Sequence, residues 1–426
     1  MPLYINQEVI IVNNQSENVI FLFDRKNRIK SIINEDMFEI LSFIYEHEGI
    51  TIEEFSNYYC NLEEVINQLL DSEILSCSKQ KRCNNIKKIT ELNTARLFVE
   101  LTDKCNLRCK HCYGDFKFEN QHTLSIESIN NLIEQAVKLN VYQFDLTGGE
   151  PLLYKNLEYL LSKLYDAGML VTIFSNLTIQ SDKILTLFEK YRVKKVITSI
   201  DSNIAKNHDE FRGMTGAFDK TINNINKLKK TSIELSVNTM VGAHNEKNVD
   251  ETITFLRNLN VPCVLDAIIP NGRANKLDEN TFKSVQIIHD LYKNKELNVE
   301  LKITDCGVGN RFLYIKSNGN VCLCPSLVTN NFIFGNINDD DFNLLSCWNQ
   351  MIDKYGNLKC KEKCSKRELC NGGCRARALL FQESLYGKDL NSCILCEECN
   401  FNEIKYWYYI LYSWRFGRKD GFYFEL

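Results

Sequence analysis

The sequence lacks the features that define several large classes of protein. Its 51 lysines and arginines nearly balance its 55 aspartates and glutamates, so the net charge of −4 offers no field for holding nucleic acid or an anionic membrane. No apolar run approaches the ~20 residues that a membrane-spanning helix needs. The first residues also lack the basic, apolar and small-residue regions of a secretory signal peptide. These absences predict a cytoplasmic protein with no nucleic-acid or membrane partner.

Against this ordinary background, 18 cysteines among 426 residues stand out. In a cytoplasmic chain, clustered cysteines bind metal or take part in redox chemistry more often than they form disulfides. They concentrate in one short segment near residue 109 and in a longer region beyond residue 300. The cysteines therefore predict two metal-dependent regions in a chain long enough for about three domains.

Residues 1–78 predict a small winged-helix domain. Its expected elements are strands near 7–13, 18–23 and 27–33, three short helices, and a last strand near 73–77. The segment holds 14 acidic and 4 basic residues, a net charge of −10 that would repel a DNA duplex. An exposed strand edge beside a helix suits capture of an extended peptide as an added strand instead.

Strand-like and helical runs alternate from about 95 to 270, after a basic, non-periodic segment at 79–92 that predicts a linker. The expected strands are 96–102, 142–147, 170–174, 195–200, 234–240 and 263–268. Such alternation predicts βαβ units and a parallel α/β sheet, open or barrel-like. Functional sites in these sheets lie at the carboxyl ends of the strands.

The first expected strand runs into a loop with Cys105, Cys109 and Cys112 in a C-x3-C-x2-C spacing. Three thiolates in one loop can bind a 4Fe–4S cluster and leave one iron open to another molecule. A structural zinc loop is the rival interpretation. Zinc normally needs a fourth protein ligand, however, and His111 is poorly placed because it is adjacent to Cys112.

This spacing, with Gly148, Gly149 and Glu150 as a GGE motif after the second strand, resembles the radical S-adenosylmethionine (SAM) superfamily. The resemblance implies a partial (β/α)6 barrel, residues 93–300, in which SAM chelates the open iron and yields a 5′-deoxyadenosyl radical. The glycines permit close backbone approach, and the carboxylate suits the SAM ammonium. The full set of SAM-contact residues implied is His111, Gly148, Gly149, Glu150, Ser175, Asn176, Ser199, Asp201, Arg212 and Asn238.

Residues 301–426 resemble the SPASM extension of radical SAM peptide maturases, which binds two auxiliary 4Fe–4S clusters; a zinc array is the rival. The first cluster would be bound by Cys306, Cys324 and Cys374, with Cys322 as candidate fourth ligand. The second would be bound by Cys360, Cys364, Cys370 and Cys393, with Cys396 or Cys399 as alternatives to the last. The pattern departs from the family's in one spacing, since three residues instead of two separate Cys360 from Cys364.

In its pattern, segment 1–78 resembles the PqqD-like recognition element of ribosomal-peptide modification systems; a packing or dimerisation module is the alternative. The combined resemblance implies three 4Fe–4S clusters, a flavodoxin or ferredoxin reductant, and a precursor peptide whose leader binds 1–78. Thioether formation is the first expectation, followed by carbon–carbon or ether crosslinking or epimerisation. An anaerobic sulfatase-maturating enzyme and a non-enzymatic zinc scaffold are the alternatives from other classes.

Overall fold

The computed structural model describes most of the chain up to residue 393. The described ranges are 1–15, 19–27, 29–59, 62–79, 85–89, 96–114, 116–119, 121–269, 271–276, 284, 286–291, 307–310, 312–356, 358–365, 370, 372–389 and 392–393. Cys306, Cys396 and Cys399, all predicted metal ligands or alternatives, lie outside them. None of the helices in these ranges combines the length and apolar character needed to cross a membrane.

After a short first strand that the sequence did not predict, the N-terminal domain has the expected order of three strands, three helices and a last strand. Its strands are β1 (Tyr4–Ile5), β2 (Val9–Asn14), β3 (Val19–Asp24), β4 (Ile29–Ile33) and β5 (Leu75–Ser76), and its helices are α1 (Glu35–Glu46), α2 (Ile52–Ser56) and α3 (Glu63–Asp71). The Asn34 and Thr51 side chains cap the first two helices, as polar side chains at these positions commonly do. Strand β4 forms one edge of the four-stranded sheet.

The predicted linker at 79–92 is wrong where the structure describes it. Strand β6 (Ile86–Ile89) pairs in parallel with β2 and completes that sheet in the order β4-β3-β2-β6. The sequence did not predict this strand because the charge of Lys87 indicated a solvent-exposed position. The side chain is buried, and its ammonium donates to the Val141 carbonyl of the next domain at 3.2 Å. The N-terminal sheet therefore extends past residue 78.

A nine-stranded sheet forms the rest of the core. Its six barrel strands, all parallel, are β7 (Arg96–Glu100), β8 (Gln143–Thr147), β9 (Leu170–Phe174), β10 (Lys195–Ser199), β11 (Glu234–Val241) and β12 (Cys263–Ala267). The helices between them are α4 (Ile126–Lys138), α5 (Leu157–Asp166), α6 (Asp182–Lys190), α7 (Ala205–Arg212), α8 (Ala217–Leu228) and α9 (Val249–Asn258). The strands neighbour one another in chain order, as expected of a partial (β/α)6 barrel, and all six lie within about two residues of their predicted positions.

The C-terminal region joins the same sheet. Strand β13 (Phe312–Ile315) pairs in parallel with β7, and β14 (Asn320–Cys322) and β15 (Ile333–Asn336) extend the sheet as antiparallel strands. Helices α10 (Leu344–Tyr355) and α11 (Arg375–Gln382) follow. The expected boundary at residue 300 therefore separates two regions that share one continuous sheet.

The N-terminal domain packs on the amino ends of the barrel strands, opposite the cysteine loop. Its β2 and β3 side chains form an apolar cluster with Leu170, the first residue of β9. Arg25 donates to the Tyr165 carbonyl at 2.8 Å and lies over the Tyr165 ring. These contacts leave the carboxyl ends of the strands uncovered by this domain.

Candidate functional site

The three cysteines of the first cluster lie together after β7. Cys105 and Cys109 are 7% and 9% exposed and pack with Leu107 and Phe116, while Cys112 is partly buried against the same cluster. Burial raises the pKa of the Cys105 and Cys109 thiols, so metal binding there would displace protons. Among the described residues, no three His, Cys, Asp or Glu side chains are arranged to hold a metal ion. The loop thus supplies three thiols at one place without forming a complete metal cage.

The GGE motif lies directly against this loop. Gly149 donates to the Thr102 carbonyl at 2.7 Å, and the Glu150 amide donates to the Lys104 carbonyl at 2.8 Å. A Cβ added to Gly149 would lie 2.3 Å from the Lys104 carbonyl oxygen, and one on Gly148 would lie 2.5 Å from that of Thr102. The close approach that requires these glycines is therefore to the cysteine loop itself.

Replacing Gly149 with alanine is expected to displace the cysteine loop, because its methyl group would overlap the Lys104 carbonyl. We expect a loss of about 2–3 kcal/mol in the free energy of unfolding, together with reduced iron binding. Denaturant titration and iron analysis measure both. Gly216→Ala is the control for iron binding, since its positive φ strains an alanine and lowers stability but the space around its Cβ position is open; an equal loss of iron in both variants would contradict the overlap argument.

Glu150 is a buried carboxylate held at the centre of the site. It accepts hydrogen bonds from the Ser175 hydroxyl at 2.7 Å, the Asn176 amide at 2.8 Å and the Leu152 amide at 3.1 Å. Burial raises the pKa of Glu150 to about 7, although these donors oppose the rise. The predicted group of Glu150, Ser175 and Asn176 is thus brought together, and a cationic ligand would be attracted to it.

Arg212 and Asp201 form a buried ion pair beside the cysteines. The guanidinium donates through Nε to Asp201 Oδ2 at 2.5 Å and through Nη2 to Oδ1 at 3.1 Å, while Nη1 lies 3.9 Å from Cys109 Sγ. The family resemblance implies a SAM contact for each of these two residues. The structure also pairs them with each other, so Arg212 presents its Nη1 side to the cysteine loop.

The predicted residue His111 belongs to a stack of three rings. Its ring lies 4.6 Å from that of Phe211, which in turn lies 3.5 Å from that of His244 with nearly parallel planes. Burial lowers the pKa of His111 to about 3 and that of His244 to about 4, so both rings are neutral at pH 7. Ser199 and Asn238, the other predicted contacts, lie opposite each other in the β10–β11 register.

The segment at Gly272 and Arg273, which the sequence did not predict as part of the site, packs against the last cysteine of the loop. The Arg273 amide donates to the Cys112 carbonyl at 2.8 Å, and its guanidinium donates to the Cys109 carbonyl at 2.9 Å. Gly272 has a φ of +58°, and a Cβ there would lie 2.3 Å from the Tyr113 carbonyl oxygen. The Asn-Gly-Arg run after the sixth strand was the available signal, because Asn-Gly pairs mark tight turns.

A second missed residue, Glu100, connects the barrel to the C-terminal region. Its buried carboxylate accepts hydrogen bonds from the Tyr314 hydroxyl and from the Ser317 amide and hydroxyl. Tyr314 is paired in register with Cys322, and both pack with Cys324. Burial raises the pKa of Cys322 to about 12. Two predicted ligands of the first auxiliary cluster therefore lie on the hairpin that Glu100 anchors.

The remaining predicted ligands that the structure describes lie in the segment between α10 and α11 or shortly after α11: Cys360, Cys364, Cys370, Cys374 and Cys393. Gly372, with a φ of +90°, would place a Cβ 3.0 Å from the Cys360 amide nitrogen, so Cys360 lies beside this loop despite its irregular spacing. Asp389 accepts from the Cys374 amide at 2.7 Å, and its own carbonyl accepts from the Cys393 amide at 2.9 Å. Arg377 donates to the Asp389 carboxylate through Nε and Nη2.

Asp389→Asn is expected to loosen this region, because it removes the carboxylate partner of Arg377, whose side chain is 19% exposed. Breaking a pair with one partner in contact with solvent should cost less than a fully buried pair, about 2 kcal/mol. We expect a lower iron and sulfide content per chain with cleavage of SAM retained, measured by metal analysis and by 5′-deoxyadenosine formation. Asp353→Asn on the exposed side of α10 is the control; unchanged iron content in Asp389→Asn would contradict the expectation.

Comparison with known proteins identifies the two regions. Residues 99–256 match the model of the Radical SAM superfamily, and residues 306–375 match that of SPASM, an iron-sulfur cluster-binding domain. The chain therefore contains a radical SAM domain followed by a SPASM domain. Its buried thiol loop, the GGE motif against that loop and the carboxylate of Glu150 fit SAM and an iron–sulfur cluster in chemistry and placement.

Several proteins are similar over much of the chain. The AdoMet-dependent heme synthase of Methanosarcina barkeri is 27% identical over 68% of this chain and 94% of its own length. The antilisterial bacteriocin subtilosin biosynthesis protein AlbA of Bacillus subtilis is 25% identical over 66% of this chain and 67% of its own. The structure of Streptococcus suis SuiB bound to precursor peptide SuiA shares the fold, with a TM-score of 0.63, 15% identity, and coverage of 92% of this chain and 99% of that one.

Proposed function

We propose that this enzyme modifies a ribosomally made precursor peptide by forming a thioether between a cysteine sulfur and a carbon. The observation that carries the proposal is the N-terminal domain, which presents the exposed edge strand β4 and packs on the barrel. An unpaired edge offers a row of backbone donors and acceptors to an extended peptide. The domain is proposed to be a PqqD-like winged-helix recognition element that holds the leader.

Among the relatives, the AlbA and SuiB matches support a peptide substrate, whereas the heme synthase match would suggest a substrate of heme synthesis. The AlbA name refers to biosynthesis of a bacteriocin, and SuiB was crystallised with a precursor peptide. Because the SuiB match covers 92% of this chain, it must include most of the N-terminal domain. The heme synthase match already uses 94% of that protein and still leaves about a third of this chain without a counterpart, whereas a third of AlbA also lies outside its own match. The parts outside the barrel thus favour a peptide maturase.

In this proposal, residues Cys105, Cys109 and Cys112 hold the SAM cluster, and Glu150 holds the SAM ammonium. The auxiliary clusters would be held by Cys306, Cys322, Cys324 and Cys374 and by Cys360, Cys364, Cys370 and Cys393. When bound, SAM and its reduced cluster supply a hydrogen-abstracting 5′-deoxyadenosyl radical, and a flavodoxin or ferredoxin supplies the electron. The chain's own residues position these groups and exclude water from them.

The test is anaerobic co-expression with a small peptide encoded beside the gene, followed by mass spectrometry. A thioether replaces one C–H and one S–H bond with a C–S bond, so we expect a loss of two hydrogens and of one alkylatable thiol. The Cys105, Cys109, Cys112→Ala variant should leave the peptide unchanged. Loss of two hydrogens with every thiol still alkylatable would indicate carbon–carbon or ether crosslinking instead. An unchanged mass on a bound peptide would overturn crosslinking and leave epimerisation.

The two alternative functions, a sulfatase-maturating enzyme and a zinc scaffold, predict different experimental results. A sulfatase-maturating enzyme would convert a Cys or Ser of a sulfatase-type sequence to formylglycine and would not need residues 1–89. A zinc scaffold would contain zinc instead of iron and would cleave no SAM. Metal analysis and an activity assay with residues 1–89 removed therefore separate both from the proposed peptide maturase.

A further inference from the structure

The basic residues of the N-terminal domain are concentrated at one place. All 4 basic residues of 1–78 fall between positions 25 and 30, whereas 14 acidic residues are spread over the rest of that segment. Of these residues, Arg25 and Lys26 lie in the turn after β3, and Lys30 is the second residue of β4. A basic spot on a domain of net charge −10 is a local site of attraction for an anion.

This basic turn borders a shallow cleft, open to solvent, between the N-terminal domain and the barrel. Cations from both domains line the cleft: Arg25 and Lys30 from one side, and Arg192 and Lys194 from the other. The acidic lining residues are Asp24 and Glu234. Positive charge therefore predominates in a cleft that neither domain would form alone.

Only part of this positive charge is neutralised, since Arg192 Nε lies 3.7 Å from Glu8 Oε2. Arg25 is only 3% exposed, and although Nη1 and Nη2 donate to backbone carbonyls, its Nε has no hydrogen-bond partner among the described residues. The ammonium groups of Lys30 and Lys194 lie 5.7 and 5.1 Å from the centre of the Phe23 ring. Two ammonium groups near one ring repel each other, and an anion between them would relieve that repulsion.

The register of the sheet shows how a peptide would reach this cleft. Lys30 pairs with Phe23 and Ile32 pairs with Phe21, so these side chains share the face of the sheet that packs on the barrel. Ile32 is 73% exposed at the outer edge. A strand added to β4 would place two of its side chains, two residues apart, beside Lys30 and Ile32 on that face.

We infer that the cleft binds one carboxylate side chain of the precursor peptide, an aspartate or glutamate two residues from an apolar side chain in a segment that pairs with β4. The inference rests on the proposed function and adds the chemistry of the segment that the N-terminal domain recognises. Because the rest of the domain is acidic, further carboxylates in the peptide are repelled. The domain thus selects one placed acidic residue over a generally acidic peptide.

The test uses the full-length protein, immobilised, and a displayed library of random decapeptides as the probe. Wild type should enrich peptides with one acidic residue two positions from an apolar one. The double variant Lys30→Glu, Lys194→Glu should lose that acidic preference, whereas Lys183→Glu on exposed helix α6 should retain it. For an enriched peptide made with a fluorescein label, replacing its acidic residue with the matching amide should weaken binding to wild type roughly tenfold, as expected for a charge-assisted contact.

The remaining outcomes separate this inference from the proposed function. Enrichment of peptides without acidic bias, or equal selection by wild type and the double variant, overturns the cleft inference and leaves peptide capture standing. Failure to enrich any peptide overturns the cleft inference and leader capture together. Ile32→Asn should weaken every enriched peptide, since it removes the apolar contact while leaving the cations in place.

Discussion

Glu150→Gln is expected to abolish measurable SAM cleavage and to lower the free energy of unfolding by about 1–3 kcal/mol. The carboxylate accepts three hydrogen bonds in a fully buried position. A glutamine side chain would turn its NH2 group toward at least one of these donors and would carry no charge for an ammonium ligand. Affinity for SAM, measured by equilibrium dialysis of the reconstituted enzyme, should fall with cleavage, whereas iron content should be retained.

The pH dependence provides a sharper test of the same residue. The pKa of Glu150 is raised from 4.5 to about 7, so its contribution to stability is fully present below pH 4.5 and is lost as pH rises through 7. Wild-type stability should therefore decline across this window, while affinity for SAM should increase as the carboxylate ionises. Both trends should be absent in Glu150→Gln and present in the surface control Glu189→Gln. Identical pH profiles in wild type and Glu150→Gln would contradict this assignment.

Asp201→Asn is expected to have the largest effect on stability, about 3–5 kcal/mol, because it leaves a buried guanidinium without its carboxylate. Asp201 also accepts from the Met240 amide at 3.0 Å, so the substitution affects β11 as well as α7. Burial alone would raise the pKa of Asp201, but Arg212 holds it below the usual value. The wild-type pair therefore stabilises the fold above the ordinary aspartate pKa of 3.8 and loses this effect as pH falls further below it.

Chemical denaturation at pH 7 measures the loss in Asp201→Asn, and the SAM-cluster absorbance reports whether the loop by Cys109 is displaced. Asp182→Asn is the matched control, because that carboxylate pairs with Lys227 at the surface. We expect the control to change stability by less than about 1 kcal/mol. A similarly small change in Asp201→Asn would show that Arg212 finds another partner.

The barrel strands were predictable because each is a short apolar run between helices of clear periodicity, and the cysteine spacing marked the loop after the first of them. The hydrogen-bond and ion-pair partners of the site residues were harder to predict from the sequence. The Asp201–Arg212 pair joins residues eleven positions apart, and the family resemblance implied a SAM contact for each of them without indicating that they pair with each other. Glu100 and Asp389 carry no local motif, since their roles depend on contacts with Tyr314 and Arg377 that only the folded chain creates.

Strand β6 shows the same limit in the N-terminal domain. A pair of lysines between two isoleucines read as a solvated linker, yet burial of the Lys87 stem and a carbonyl for its ammonium make a strand there stable. Because a long amphipathic side chain can bury its aliphatic stem, a charged residue in the sequence does not reliably predict solvent exposure. The winged-helix identity of this domain and the individual cluster ligands stay predictions.

The N-terminal domain lies at the amino ends of the barrel strands, and the cysteine loop lies at their carboxyl ends. A five-residue strand is about 17 Å long, so a peptide held at β4 needs at least about five extended residues merely to traverse the height of the sheet. It needs more to pass around the barrel wall. The protein thus sets a minimum number of peptide residues between the segment bound at β4 and the residue that reacts. Peptide residues closer to the bound segment than this minimum cannot reach the cysteine loop.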